Sequence, residues 1–180
     1  KEQRSIRIMR SLLFVPSIVE RFVQRAPKAG ADVICLDLED SIPPAEKARA
    51  RAMAAEAIDT MPRTGYAAFV RVNAVHTGLL EDDLISVVRP GLDAIVLPKT
   101  DSAEAVERAD HYLTILERQA GMETGAIGIV ALIESAVGIL NCREICAASP
   151  RLVGASLGAE DLAADMGMIR SKAARELDWP

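Results

Sequence analysis

Six short apolar runs recur along this chain, beginning near residues 12, 33, 67, 94, 127 and 152. They lack the apolar/polar alternation of a strand with one wet face, so both faces should be buried. The clearest is Ile127-Gly-Ile-Val-Ala-Leu-Ile133, all apolar or glycine. Periodicity alone does not separate so short a run from a helix; its β-branched content and the preceding Gly125 favour a strand. Between the runs lie stretches of helical spacing: Val19, Phe22, Val23 and Ala26 within 18–29, an Ala-rich segment over 45–61, a short one over 81–88, and Val106, Ala109, Leu113, Leu116 and Ala120. Strands alternating with helices make β-α-β units and a parallel sheet. Local signals agree. Pro16 stops the first strand, Gly30 closes the first helix, and Pro43-Pro44 suit a helix start. Asp101-Ser-Ala-Glu104 reads as a capping box with Asp101 in the capping role, and Ser135 caps the helix after the fifth strand.

Composition narrows the class. The 180 residues suffice for one core, and half are hydrophobic while only 3% are aromatic, so that core is aliphatic. A net charge of −5 without a basic stripe argues against nucleic acid as a partner. No apolar run approaches the ~20 residues that span a bilayer. Cys35 lies in a strand-like run, and Cys142 and Cys146 are four apart on a helix. All three read as packing residues in a reducing, cytoplasmic setting. His76 and His111 are isolated. Residues 1–9 read as a tail carrying Lys1, Arg4 and Arg7, and 10–180 as one domain.

Two architectures fit alternating β and α: an open doubly wound sheet and an eightfold barrel. An open sheet binds ligands at one switch point in its strand order, whereas a barrel converges many strand ends on one pocket. Here five strand ends are charged or polar: Asp37/Glu39/Asp40, Arg71/Asn73, Lys99, Glu134 and Glu160/Asp161. No glycine-rich dinucleotide fingerprint follows the first strand. The expectation is therefore a TIM-type (β/α)8 barrel of which this chain holds six units. An eightfold barrel needs about 250 residues, which puts strands seven and eight beyond Pro180.

Glu134 and Asp161 stand at equivalent points of consecutive units, 27 residues apart. Neighbouring parallel strands lie ~4.8 Å apart, so both carboxylates can reach one cation. With no His or Cys beside them the ligand set is all oxygen, which suits Mg2+. The plainer alternative is that Glu134 favours a helix N-terminus and Asp161 is solvated. Lys99 has two readings of its own: a Schiff-base nucleophile, which requires burial to lower its pKa, or a salt bridge to Glu39 or Asp40.

Six segments then match a known pattern in order: Arg10-Ser-Leu-Leu-Phe-Val-Pro16; Asp37-Leu-Glu-Asp40 followed by Pro43 and Lys47; Val70-Arg-Val-Asn73; Leu97-Pro-Lys99; Ala131-Leu-Ile-Glu-Ser-Ala136 with Gly138; and Gly158-Ala-Glu-Asp-Leu-Ala-Ala-Asp165. On these the chain resembles the HpcH/HpaI aldolase/citrate lyase family, in particular its citrate lyase β-subunit-like branch. The resemblance implies a TIM-type barrel in a homotrimer or hexamer, Mg2+ held by Glu134 and Asp161, and Arg71 gripping a small 2-oxo acid. Lys99 would also face substrate, and Glu39 and Asp40 would line the same pocket as catalytic groups. The implied reaction is reversible cleavage of a malyl-, citramalyl- or citryl-CoA type thioester. Two departures stand out. Ser17 replaces the glycine common after the strand-one proline, and nothing corresponds to the C-terminal region that supplies a catalytic Asp in malyl-CoA lyase-like members. A non-catalytic CoA-thioester-binding module and a Lys99 Schiff-base aldolase remain the alternatives.

Overall fold

Each strand of the sheet pairs in parallel with its neighbour in sequence, giving the order β1-β2-β3-β4-β5-β6. The strands are β1 Leu12–Pro16, β2 Val33–Asp37, β3 Ala67–Arg71, β4 Ala94–Leu97, β5 Gly128–Ile133 and β6 Leu152–Leu157. The computed structural model describes residues 9–62 and 65–175; all of the 1–9 tail except Met9 lies outside that range. A doubly wound sheet reverses its order at a switch point. This one never reverses, which is the winding of a barrel.

Packing shows the same thing. Ile34, Leu36, Ala68, Val70, Ile95, Leu97, Ile129 and Ala131 pack with helical residues, including Ala54, Ile58, Leu84, Val106, Ala109 and Leu113. The alternate strand residues Val33, Cys35, Ala67, Phe69, Ala94, Val96, Val130 and Leu132 form a second cluster that no helical residue joins. Side chains alternate between faces along a strand, so helices cover one face and the other is the interior of a partial barrel. Register aligns the interior residues in layers: Cys35 opposite Phe69, Phe69 opposite Ala94, and Val96 opposite Val130. On edge strand β1 the inward Leu12 and Phe14 are exposed.

The helices are α1 Glu20–Arg25, α2 Lys47–Thr60, α3 Leu80–Val87, α4 Ala103–Gln119, α5 Ala136–Leu140, α6 Cys142–Ala147 and α7 Ala159–Asp165. None of the described helices is long and apolar enough to cross a membrane. Two local expectations change. The 18–29 helix is cut to α1 and a 3-10 turn, Ala26–Lys28, that contains Pro27; proline lacks the N–H an α-helix interior needs. Ser102, not Asp101, is the N-cap residue of α4, and it makes no side-chain cap bond. Asp101 instead accepts the Ser135 hydroxyl, while Ser135 caps α5 by accepting the Gly138 N–H at 3.0 Å.

At the end of the sheet where the strands begin, one buried arginine joins three elements. Arg151 donates to Asp110 at 2.5 Å, to both Glu117 oxygens at 2.8 and 2.7 Å, to Thr114 at 2.8 Å and to the Ile127 carbonyl at 3.1 Å. Glu117 also accepts the Gly125 and Ile127 N–H groups, each at 2.7 Å. Removing one partner of such a pair strands a buried charge. Arg151→Met is expected to lower the unfolding free energy by about 3–5 kcal/mol in urea titration. The exposed Arg143→Met is expected to change it by less than about 0.5 kcal/mol.

Candidate active site

The strand alternation that fills the interior also selects what emerges at its rim. Val33 and Cys35 point inward, and Asp37 continues their side of β2. Arg71 continues Ala67 and Phe69, and Glu134 continues Val130 and Leu132. Asp37 and Arg71 are register partners. The guanidinium forks onto the carboxylate, Nε donating to Oδ1 at 2.7 Å and Nη2 to Oδ2 at 2.8 Å. Its Nη1 lies 3.2 Å from Glu39 Oε2 and 3.3 Å from Asp40 Oδ2. The Phe14 ring centre lies 4.8 Å from the guanidinium carbon, a cation–π contact.

The turn after β2 is held from both sides. Asp37 accepts the Glu39 N–H at 2.9 Å, the Ser41 N–H at 3.1 Å and the Ser41 hydroxyl at 2.5 Å. The Lys47 ammonium donates to the Leu38 and Glu39 carbonyls at 2.6 and 2.7 Å and to Asn73 Oδ1 at 2.7 Å. Asn73 donates onward to Asp83 at 2.7 Å, and Asp83 pairs with Arg51 at 2.7 Å.

Lys99 closes the other side. Its N–H donates to Glu134 Oε1 at 2.9 Å. Its ammonium reaches Glu39 Oε1 at 2.7 Å, Asp161 Oδ2 at 3.3 Å and Asp40 Oδ1 at 3.5 Å. Asp161 lies in the first turn of α7. A Cβ at Gly158 would sit 2.5 Å from both Cγ and Oε2 of Glu134, so glycine there makes room for that carboxylate. Arg71, Glu39, Asp40, Lys99, Glu134 and Asp161 thus form one cluster. Sequence reasoning allows Arg71 a partner among the strand-two acids without singling out Asp37, and it misses Lys47, Asn73, Phe14 and Gly158 as supports of the cluster.

The electrostatics follow from burial and crowding. Burial raises the Asp37 pKa, but Arg71 and Ser41 outweigh it and hold the carboxyl below its ordinary value. Burial raises Glu39 beyond what Lys99 and Arg71 offset. Burial also raises Glu134, and the charges of Asp161 and Glu39 add to it despite the Lys99 N–H. Burial would lower Lys99, yet Glu39, Asp40 and Asp161 push it above the ordinary lysine value. A Schiff base needs the neutral amine, so this environment opposes that reading of Lys99.

Around Arg71 and Lys99 stand five carboxylates, Asp37, Glu39, Asp40, Glu134 and Asp161, and with Lys47 facing the first three of them the formal excess is two negative charges. Glu39 Oε2 is buried and accepts no hydrogen bond. Such a cluster favours a further cation. Among the described residues no three His, Cys, Asp or Glu side chains converge as a metal-holding group. Glu134 and Asp161, one carboxylate each, fit an ion that takes one or two carboxylates and fills its remaining positions with water or substrate oxygen.

A sequentially wound parallel sheet with charged strand ends gathered at one rim is the architecture of a β/α-barrel active site. The chain belongs to the HpcH/HpaI aldolase/citrate lyase family, which residues 10–178 match. It is 39% identical over 176 residues to the citrate lyase subunit beta of Escherichia coli K12, covering 98% of this chain and 58% of that protein. It is 40% identical over 162 residues to the L-malyl-CoA/beta-methylmalyl-CoA lyase of Cereibacter sphaeroides, covering 88% of this chain and 51% of that one. Among solved structures, protein CitE from Mycobacterium tuberculosis in complex with magnesium and acetoacetate matches with a TM-score of 0.68 and 30% identity, over 93% of this chain and 62% of that one. The chain thus spans little more than half the length of these relatives.

The Asp37–Arg71 fork makes a pH-dependent prediction. A carboxyl held below its unfolded pKa contributes stability that is full above that value, about 4, and is lost as pH falls through the folded value. Asp37→Asn is expected to be about 3 kcal/mol less stable than the parent at neutral pH. That gap should shrink below about pH 4, read from urea midpoints at each pH.

Proposed function

We propose that this chain carries the metal and oxo-acid site of a Mg2+-dependent carbon–carbon lyase. Its substrate would be a 3-hydroxyacyl thioester of the malyl-, citramalyl- or citryl-CoA type, and its products acetyl-CoA or a relative and a 2-oxo acid. The carrying observation is that Glu134 and Asp161 both meet Lys99, beside the guanidinium of Arg71. The relatives named as citrate lyase subunit beta and malyl-CoA lyase, and the neighbour solved with magnesium and acetoacetate, support the reading.

Glu134 and Asp161 would hold the ion, and they must stay ionised to do so. The chemistry Mg2+ supplies when bound is Lewis-acid stabilisation of charge that develops on oxygen. Arg71 is fixed in plane by Asp37, while its longer Nη1 contacts leave that edge to a substrate carboxylate. Such preorganised charge is often the largest catalytic contribution. Lys99 faces the same space and would contact the oxo-acid. Glu39, raised by burial and with an Oε2 that accepts no hydrogen bond, is suited to hold a proton there while the thioester fragment leaves, with Asp40 beside it. Self-association as a trimer or hexamer of a cytoplasmic enzyme belongs to the same proposal.

The test is acetyl-CoA release from the three thioesters with Mg2+, after EDTA, and after Mg2+ is restored. Activity lost to EDTA and recovered supports the lyase. Activity untouched by EDTA overturns the metal reading, and thioester binding without release indicates a non-catalytic module. Glu134→Gln is expected to fold normally by circular dichroism and to lose about 10²–10³-fold in kcat/KM. Gly158→Ala is expected to displace the Glu134 carboxylate and weaken Mg2+ binding about tenfold or more by calorimetry.

A further inference from the structure

Lys99 serves acids from three strand ends at once: Glu39 and Asp40 after β2, Glu134 after β5 and Asp161 after β6. It does so from a left-handed backbone, φ 47°, which among the described non-glycine residues only Ala174 shares. A lysine adopts that conformation only under strain, so the surroundings must enforce it. They do: the Thr100 N–H donates to the Leu132 carbonyl at 3.1 Å, and the Thr100 hydroxyl to the Leu97 carbonyl at 2.8 Å. The main chain and the side chain of one residue are thereby both delivered to the same acidic cluster.

We infer that Lys99 is an internal counter-ion: its ammonium holds the Asp161 carboxylate until a divalent cation takes it, and so sets how tightly the site binds that cation. This rests on the proposed Mg2+ site at Glu134 and Asp161. Mg2+ sits about 2.1 Å from a ligand oxygen, and the ammonium is 3.3 Å from Asp161 Oδ2. The two cations would be close enough to repel strongly at any dielectric found in proteins. Lys99 also neutralises Glu39 and Asp40, which lowers the negative potential a second cation feels. Both effects weaken Mg2+ binding. A merely structural Lys99 predicts the opposite sign, because removing a residue that only positions Asp161 would weaken the site.

Calorimetric titration of Mg2+ into the full protein separates these cases. Lys99→Met keeps the length of the stem and loses the charge; its Kd for Mg2+ is expected to fall on the order of tenfold. Lys99→Arg keeps the charge and should stay within about twofold of the parent. In the absence of metal Lys99→Met should melt at a lower temperature than the parent, and Mg2+ should narrow the gap. Unchanged or weaker Mg2+ binding by Lys99→Met, with the parent binding normally, overturns this inference and leaves the lyase reading intact. Absence of binding by both proteins overturns the two together. Should Lys99→Met not fold, Lys99→Gly accepts the positive φ without strain and carries the same expectation for Kd.

Discussion

The guanidinium–carboxylate fork between Asp37 and Arg71 is the contact on which the rim depends. The two residues are opposite each other in the β2–β3 ladder, so sheet register alone brings them to bonding distance. Burial works against both charges, and a buried pair is stable only when its geometry is good and its remaining groups are satisfied. Here they are: Asp37 takes two bonds from Arg71 and three from the Glu39–Ser41 turn, while Arg71 spreads over Asp37, Glu39 and Asp40 and stacks on Phe14. The fork thus orients the arginine and folds the acidic turn. Lys47 completes that turn by occupying the Leu38 and Glu39 carbonyls.

With that side fixed, Glu39 has one oxygen hydrogen-bonded to Lys99 and the other in a longer ion pair with Arg71 but accepting no hydrogen bond. Lys99 in turn links the β2 acids to Glu134 and Asp161. The site is two cationic hubs, one rigid and one adaptable. Arginine, planar and always charged, forms the rigid hub; lysine, a point charge on a flexible stem, forms the other. On the proposed metal site, the flexible hub stands next to the carboxylates that would receive the cation. Gly158 serves the same end sterically, since a side chain there would meet Glu134.

The fold was legible because its signals are local. Six apolar runs, the helical spacing between them and charged residues at their ends are all short-range patterns, and the sheet has the six strands they outline. Glu134 and Asp161 could be picked out by their equivalent positions in consecutive units. Asp37 was harder, since Glu39 and Asp40 beside it offer the same chemistry. The alternation Val33, Cys35, Asp37 does carry the answer, but only once it is known which face of a doubly buried strand is the interior. Pro27 was a local signal overlooked, and it ends α1. The role of Asp101 was not local at all, because it depends on Ser135 in the next unit. The Arg151 cluster was likewise hidden: its partners Asp110 and Glu117 lie 41 and 34 residues away in sequence.

That cluster explains how a rim so rich in charge is sustained. In a β/α unit each strand begins at one end of the sheet and delivers its last residue to the other, so the two ends carry separate tasks. At the starting end Arg151 and Glu117 tie α4 to the beginnings of β5 and β6, with each charge paired. At the delivering end five acids meet Arg71, Lys99 and Lys47, and a negative surplus remains. An excess of like charge destabilises the state that holds it. The rim tolerates its excess because the strands beneath it are fixed elsewhere, by an aliphatic core on both faces and by fully paired ions at the far end. Satisfying the rim internally, with a further basic residue among Glu39, Glu134 and Asp161, would make it more stable and close it to the cation proposed to bind there.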